Sequence, residues 1–221
     1  MKQEIVYLKM LRLHTINEDD YLRLYRSASE ERRQKADRLA RREDVCRCIA
    51  AEALLKHTLE AVGTDPNTTI YTKENGKPYV NVPDFHYNIS HGGDYVVIAY
   101  GKTKIGVDVE PIVESDRRIS LAKRFFSPLE QALLASSDMA NAATRFTILW
   151  TRKESYVKYT GVGLSQGLQS FSVDVTLPCG SVTDSKEGRL PVGCHTILTE
   201  DSHVISLCGA FDHVETEYIT L

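Results

Sequence analysis

Ile105-Gly106-Val107-Asp108-Val109-Glu110-Pro111 is the stretch whose reading decides the fold. Val107 and Val109 are β-branched and alternate with Asp108 and Glu110, the period-two pattern of a short strand. Successive strand side chains point to opposite faces, so the two carboxylates share one face. Like charges this close repel, and an isolated fold gains nothing from that. A hard divalent cation with oxygen ligands resolves the conflict. On the pair alone, a solvent-facing edge strand with two solvated acids is the readier account, because charges usually sit in water.

Toward the N-terminus the neighbours are short strands joined by tight turns. Tyr95-Val96-Val97-Ile98-Ala99-Tyr100 is an apolar strand entered through the turn His91-Gly92-Gly93-Asp94, and Phe85 to Ser90 is the strand before it. Asn75-Gly76 marks a tight turn after the short strand Ile70-Tyr71-Thr72. Further back, Ser29 to Leu59 is helical with a break at residues 40–44, and it ends at Gly63 to Pro66. A helix from Asp19 and a strand over residues 4–13 complete this half.

Toward the C-terminus, Ile119 to Phe126 reads as a helix. Ser127-Pro128-Leu129-Glu130 places Ser at the cap, Pro at the first position and Glu at the third of another. A third begins at Asn141 or Thr144, runs through Lys158 and stops at Gly161-Val162-Gly163. Leu168 to Val175 alternates as a strand, residues 178–191 read as polar loop, and residues 195–198 and 204–211 form a closing hairpin. The order predicts an α+β chain of two comparable halves, residues 1–104 and 105–221, each a small antiparallel sheet packed with helices.

A chain of 221 residues is long enough to bury a real core. Its 42% hydrophobic and 26% charged residues are ordinary for a globular protein. The net charge of -3 excludes a generally basic nucleic-acid binder. No apolar run spans a membrane, and Met1-Lys2-Gln3-Glu4 opens into an alternating segment with no signal-peptide core. The five cysteines make no C-x-x-C, and they read as reduced thiols of a cytoplasmic protein.

Two further stretches carry charge in a pattern. Arg32, Arg33, Lys35, Arg38, Arg41, Arg42 and Arg47 outnumber the acids around them in a protein that is negative overall. A solvated, salt-bridged helical surface is the bland account and polyanion binding the sharper one. In Trp150-Thr151-Arg152-Lys153-Glu154-Ser155-Tyr156-Val157-Lys158, Glu154 and Lys158 lie four apart on one helix face, in the favoured order for a salt bridge. Trp150 shares that stripe, placed to shield the carboxylate or simply to pack in the core.

Together these residues resemble a known family. Gly76-Lys77-Pro78, Phe85 to His91, Ile105 to Glu110, Arg124-Phe125-Phe126-Ser127, Leu149 to Ser155 with Lys158, and Gly163-Leu164-Ser165 with Ser170-Phe171-Ser172-Val173 are similar, in order and spacing, to the 4′-phosphopantetheinyl transferases of the Sfp type. The match covers about residues 30–175, and no motif is matched beyond about residue 178. The resemblance implies a pseudo-dimeric α+β fold that acts as a monomer. It implies transfer of the phosphopantetheine arm of coenzyme A to a serine of an apo acyl or peptidyl carrier protein, releasing adenosine 3′,5′-bisphosphate.

Site residues follow from the same resemblance. Magnesium is expected on Asp108, Glu110 and Glu154, with Lys158 reaching the pyrophosphate as charge develops there. Lys77, Ser90 and His91 are expected to contact the nucleotide, Arg47, Lys35 and Arg32 to hold the 3′-phosphate, and Pro78 to wall the adenine. His91 also has a plainer account as a turn residue. The base is Glu154 or a metal-bound water. An apolar groove of Ile119, Leu121, Phe125 and Phe126, rimmed by Arg117, Arg118, Lys123 and Arg124, is expected to receive the acidic carrier. Two rivals remain at this level: a non-catalytic module that docks coenzyme A or carrier, and a magnesium-dependent pyrophosphatase in which water replaces serine.

Overall fold

In the computed structural model, which describes residues 3–115, 117–137, 139–163 and 167–221, the alternating stretch is a strand at the seam of two sheets. In chain order the elements are β1 (Ile5–Arg12), α1 (Glu18–Ser27), α2 (Glu30–Ala36), α3 (Arg42–Ala61), β2 (Ile70–Thr72), β3 (Pro78–Val80), β4 (His86–Gly92), β5 (Tyr95–Gly101) and β6 (Ile105–Pro111). Then follow α4 (Arg117–Phe125), α5 (Pro128–Ala135), α6 (Met139–Thr160), β7 (Phe171–Val173), β8 (Cys179–Asp184), β9 (Gly188–Leu198), β10 (His203–Gly209) and β11 (His213–Ile219). Met1, Lys2, Leu164 and Ser165, named above, lie outside the described residues.

The first sheet runs β11-β1-β5-β4 and the second β6-β10-β9-β8-β7, with β2 and β3 as a separate hairpin. Strand alternation sorts their faces into layers. On β5, Val96 and Ile98 meet Leu54, Leu55 and Leu59 of α3. Tyr95, Val97 and Ala99 face the other way and join Val6, Leu8 and Met10 against Val107, Val109, Ile205 and Leu207 of the second sheet. The far side of the second sheet is covered by α4 and α6, through Ala122, Phe146, Leu149 and Val157.

This packing holds the register of β6. Val107 and Val109 are both 0% exposed, and fully burying such a side chain stabilises by about 1.5–3 kcal/mol. A one-residue slip would put carboxylates into the seam, so Asp108 and Glu110 are obliged to face α6. The helix approaches that face closely. A Cβ on Gly106 would lie 2.0 Å from Ser155 O and 2.4 Å from Tyr159 N, so only glycine lets strand and helix meet there.

Two buried cations fasten α6 from its other side. Arg152 and Lys153 are 0% exposed. Lys153 Nζ donates to Leu168 O at 2.7 Å and Phe171 O at 2.6 Å and pairs with Glu130 at 2.9 Å. Arg152 donates to Thr196 Oγ1 at 2.8 Å and Thr176 O at 2.7 Å. Glu130 itself closes the capping box that Ser127-Pro128-Leu129-Glu130 predicts, its carboxylate accepting from Ser127 N at 2.8 Å.

The C-terminal part differs from the expected elements. Residues 178–191 contain β8 and the start of β9 rather than a loop. β8 escapes an apolar-alternation reading because only Val182 of its six residues is buried. The strand expected over Leu168 to Val175 shrinks to β7, preceded by a tight turn at Leu168–Ser170 whose first carbonyl is satisfied by Lys153 instead of a ladder. The β9–β10 hairpin does not close the chain. β11 follows it and returns to the first sheet, pairing parallel with β1 from Ile5↔His213 to Leu11↔Ile219. The last strand in the sequence thus completes the sheet of the first half. No described helix is long and apolar enough to cross a membrane.

Candidate active site

Three elements build the site. β4 brings Ser90 and His91, β6 brings Asp108 and Glu110, and α6 brings Trp150, Glu154 and Lys158. With Ile89 they line an open cavity of about 310 Å³. At its floor Ser90 Oγ donates to Asp108 Oδ1 at 2.8 Å. Lys158 Nζ donates to the same oxygen at 2.6 Å and to Ser90 Oγ at 2.8 Å. Lys158 therefore reaches across to the strand, whereas its helical spacing predicts a bridge back to Glu154.

Asp108 is 4% exposed, and a buried carboxylate is costly unless paired and hydrogen-bonded. Its Oδ1 accepts twice, while Oδ2 is buried without a hydrogen-bond partner. The neighbouring acids feel the same crowding. Burial, and then Asp108 and Glu154, push the Glu110 carboxyl up to about 7 against the pull of Lys158. Burial and Asp108 also raise Glu154. His91 is lowered, first by burial and then by Lys158, Arg47 and Lys35.

An oxygen-only set of three acids, with Glu110 and Glu154 both raised by their surroundings and one buried Asp108 oxygen left over, fits a hard divalent cation. As they stand, no three of His, Cys, Asp and Glu among the described residues are grouped closely enough to grip an ion.

Glu110 produces a pH effect of definite sign. Its carboxyl sits near 7 when folded against 4.5 ordinarily, so between these values the folded chain holds a proton that unfolding releases. The stability this contributes is present below the lower value and is lost as pH rises through the upper. In chelator, the Tm of Glu110→Gln is expected to rise relative to the parent chain between about pH 5 and pH 8. A gap that stays constant with pH would show that Glu110 titrates normally.

The other residues singled out from sequence are placed as follows. Arg47 clamps the β4–β5 turn, donating to Gly93 O from Nη2 at 2.7 Å and from Nε at 3.1 Å, and it pairs with Asp44 at 2.8 Å. Lys35 is exposed on α2. Both stand close enough to His91 to depress it. Arg32 is held at 3.3 Å by the buried Glu52. Pro78 is exposed on β3. Lys77 does not line the cavity: its ammonium donates to Ile105 O at 3.0 Å and to Lys158 O. Burial, and then Lys104, Lys73 and Lys158, push it down to about 8.

In the groove expected on α4, Phe126 is 0% exposed and belongs to the core, whereas Ile119 is 65% exposed. Trp150 serves both purposes considered for it, stacking on Phe146 at 6.0 Å while lining the cavity. Sequence reasoning missed Asn88, whose Oδ1 accepts from Val107 N at 2.8 Å along the outer edge of β6. A polar residue at an inward strand position was the available signal.

Comparison with known proteins bears on this geometry. Residues 15–103 match the family model "4′-phosphopantetheinyl transferase, N-terminal", and residues 104–208 match "4′-phosphopantetheinyl transferase superfamily". The chain is 34% identical over 191 residues to a 4′-phosphopantetheinyl transferase of Bacillus subtilis, covering 85% of this chain and 84% of the relative. It is 32% identical to the 4′-phosphopantetheinyl transferase psf-1 of Bacillus pumilus, over 85% of this chain and 82% of that one. It is 30% identical to the 4′-phosphopantetheinyl transferase Sfp of Bacillus subtilis strain 168, over 88% of each.

Proposed function

This chain belongs to the 4′-phosphopantetheinyl transferase family, and we propose that the cavity between β4, β6 and α6 is where it moves the 4′-phosphopantetheine arm of coenzyme A to a serine of an apo acyl or peptidyl carrier protein. The observation that carries this reading is the convergence of Asp108 and Glu110 from one element with Glu154 and Lys158 from another, around a single cavity with Ser90 and His91.

In this reading Asp108, Glu110 and Glu154 hold magnesium, which supplies charge neutralisation at the pyrophosphate. The carrier serine hydroxyl attacks the β-phosphorus. A P–O bond to the serine forms, the bond to the oxygen bridging the two phosphates breaks, and adenosine 3′,5′-bisphosphate leaves with the electron pair. The serine proton passes to Glu154, directly or through a water that Glu154 orients. Lys158 exchanges Asp108 for phosphate oxygens and faces the developing charge. His91 and Ser90 orient the phosphates, Lys35 and Arg47 hold the 3′-phosphate, and Pro78 flanks the adenine. Exposed Ile119 and Leu129, 65% and 77% exposed, with Arg117, Lys123 and Arg124 nearby, suit an acidic carrier. The enzyme works as a monomer in the cytoplasm, consistent with five free cysteines.

Incubation with coenzyme A, magnesium and an apo carrier tests the reaction. The carrier is expected to gain the mass of one phosphopantetheine group. Cleavage of coenzyme A with no gain on the carrier would favour the pyrophosphatase, and no turnover the docking module. Lys35→Ala tests the 3′-phosphate contact. KM is expected to rise for coenzyme A far more than for dephospho-coenzyme A, because a charge-assisted contact contributes on the order of 1.5–3 kcal/mol. Equal losses for both substrates would remove Lys35 from that role.

A further inference from the structure

Lys77 lies just after the Asn75-Gly76 turn of the β2–β3 hairpin, and its side chain runs to the junction of two elements that the first half of the chain does not contain. Its ammonium bonds Ile105 O, at the start of β6, and Lys158 O, in the last turn of α6. Each acceptor sits where its own sheet or helix supplies no donor. Val107 N turns away from β10 to reach Asn88, and backbone groups of an antiparallel strand alternate in direction. Ile105 O, two residues earlier, therefore also points to the outer edge of β6. Lys158 O is among the final carbonyls that a helix cannot satisfy internally, and a cation is favourable at that end of a helix.

The turn is seated against the same helix end. A Cβ on Gly161 would lie 2.8 Å from Asn75 Nδ2 and 3.7 Å from Lys77 Cδ. Asn75 Oδ1 in turn accepts from Lys77 N at 3.1 Å, which fixes where the lysine leaves the backbone. One side chain thus fastens the hairpin, the strand that carries Asp108 and Glu110, and the helix that carries Glu154 and Lys158.

We propose that Lys77 is a positioning residue for the transfer reaction: it holds the start of β6 and the end of α6 at the spacing where Lys158 Nζ lies 2.6 Å from Asp108 Oδ1 and acids from both elements face one cavity. The proposal rests on the reading of that cavity as the catalytic site. It differs from a nucleotide contact in what its loss does. A residue that only grips coenzyme A raises KM when removed, whereas one that spaces the reacting groups lowers kcat, and a displacement of about 1 Å can cost roughly a hundredfold.

Lys77→Met tests it in the full-length protein, with coenzyme A, magnesium and an apo carrier. We expect kcat to fall at least tenfold while KM for coenzyme A changes less than twofold. In the metal-free protein, amide hydrogen exchange should quicken at residues 157–161 and stay unchanged in β5. Lys77→Arg keeps donors for both carbonyls and should recover most of kcat. A raised KM with normal kcat and unchanged exchange would overturn the proposal in favour of a nucleotide contact. Normal values throughout would overturn it as well, as would a folded Arg variant no faster than the Met variant. Should Lys77→Met fail to fold, Asn75→Ala loosens the same turn more gently and must show the same fall in kcat. Quickened exchange at residues 157–161 in Lys77→Met, with a parent protein that modifies no carrier, would leave the clamp standing and refute only the assigned reaction.

Discussion

Asp108→Ala is expected to reduce transfer by roughly a thousandfold, the scale for removing a preorganised electrostatic group from a reaction centre. Asp108 lies at the middle of the site. One of its oxygens anchors both Ser90 and Lys158, and the other is buried with no partner. Its removal takes away a carboxylate proposed to hold magnesium and releases Lys158 from its place. The effect on stability should be small, because two opposing terms change together. The ion pair with Lys158 is lost, but that side chain is 29% exposed and its ammonium can turn to water. Meanwhile Glu110 and Glu154, both raised in part by Asp108, are relieved of a neighbour of like charge. In chelator the variant is expected to melt at or above the parent Tm. A variant that melts far lower and still modifies carrier would identify Asp108 as a structural residue.

Lys158→Ala should lower kcat by roughly a hundredfold or more while KM for coenzyme A moves little. The ammonium is presented at the cavity floor, 2.6 Å from Asp108 and 2.8 Å from Ser90. If it meets charge that appears on the leaving phosphate, its interaction is stronger in the transition state than in the ground state. An ion pair serving only the fold predicts otherwise: a loss of stability, with kcat nearly intact. Steady-state kinetics at saturating magnesium separate the two. A near-normal kcat would remove Lys158 from the reaction and leave the metal alone to stabilise the leaving group.

The legible parts of the site are those set by one element at a time. The period of two in β6 puts Asp108 and Glu110 on one face, and the structure keeps them there because Val107 and Val109, which alternate with them, fill the seam. The one-turn spacing of Trp150, Glu154 and Lys158 likewise survives as a shared face toward the cavity. What the spacing misassigned is the partner of Lys158. Helix geometry favours Glu154, but a long flexible side chain takes the best acceptor in reach, and Asp108 is buried with greater need of a cation.

Local sequence therefore determined the strands and helices flanking the site, the capping box at Ser127, the two-half order and the common faces of the acids, because period, capping and turn chemistry act within a few residues. Tertiary structure alone decided that Lys77 serves two carbonyls of the other half, that Arg152 and Lys153 are buried beneath the site helix, and that β11 returns to β1. These contacts join residues far apart in the chain. Each satisfies a backbone group or carboxylate whose need for a partner arises only once two elements have packed and excluded water.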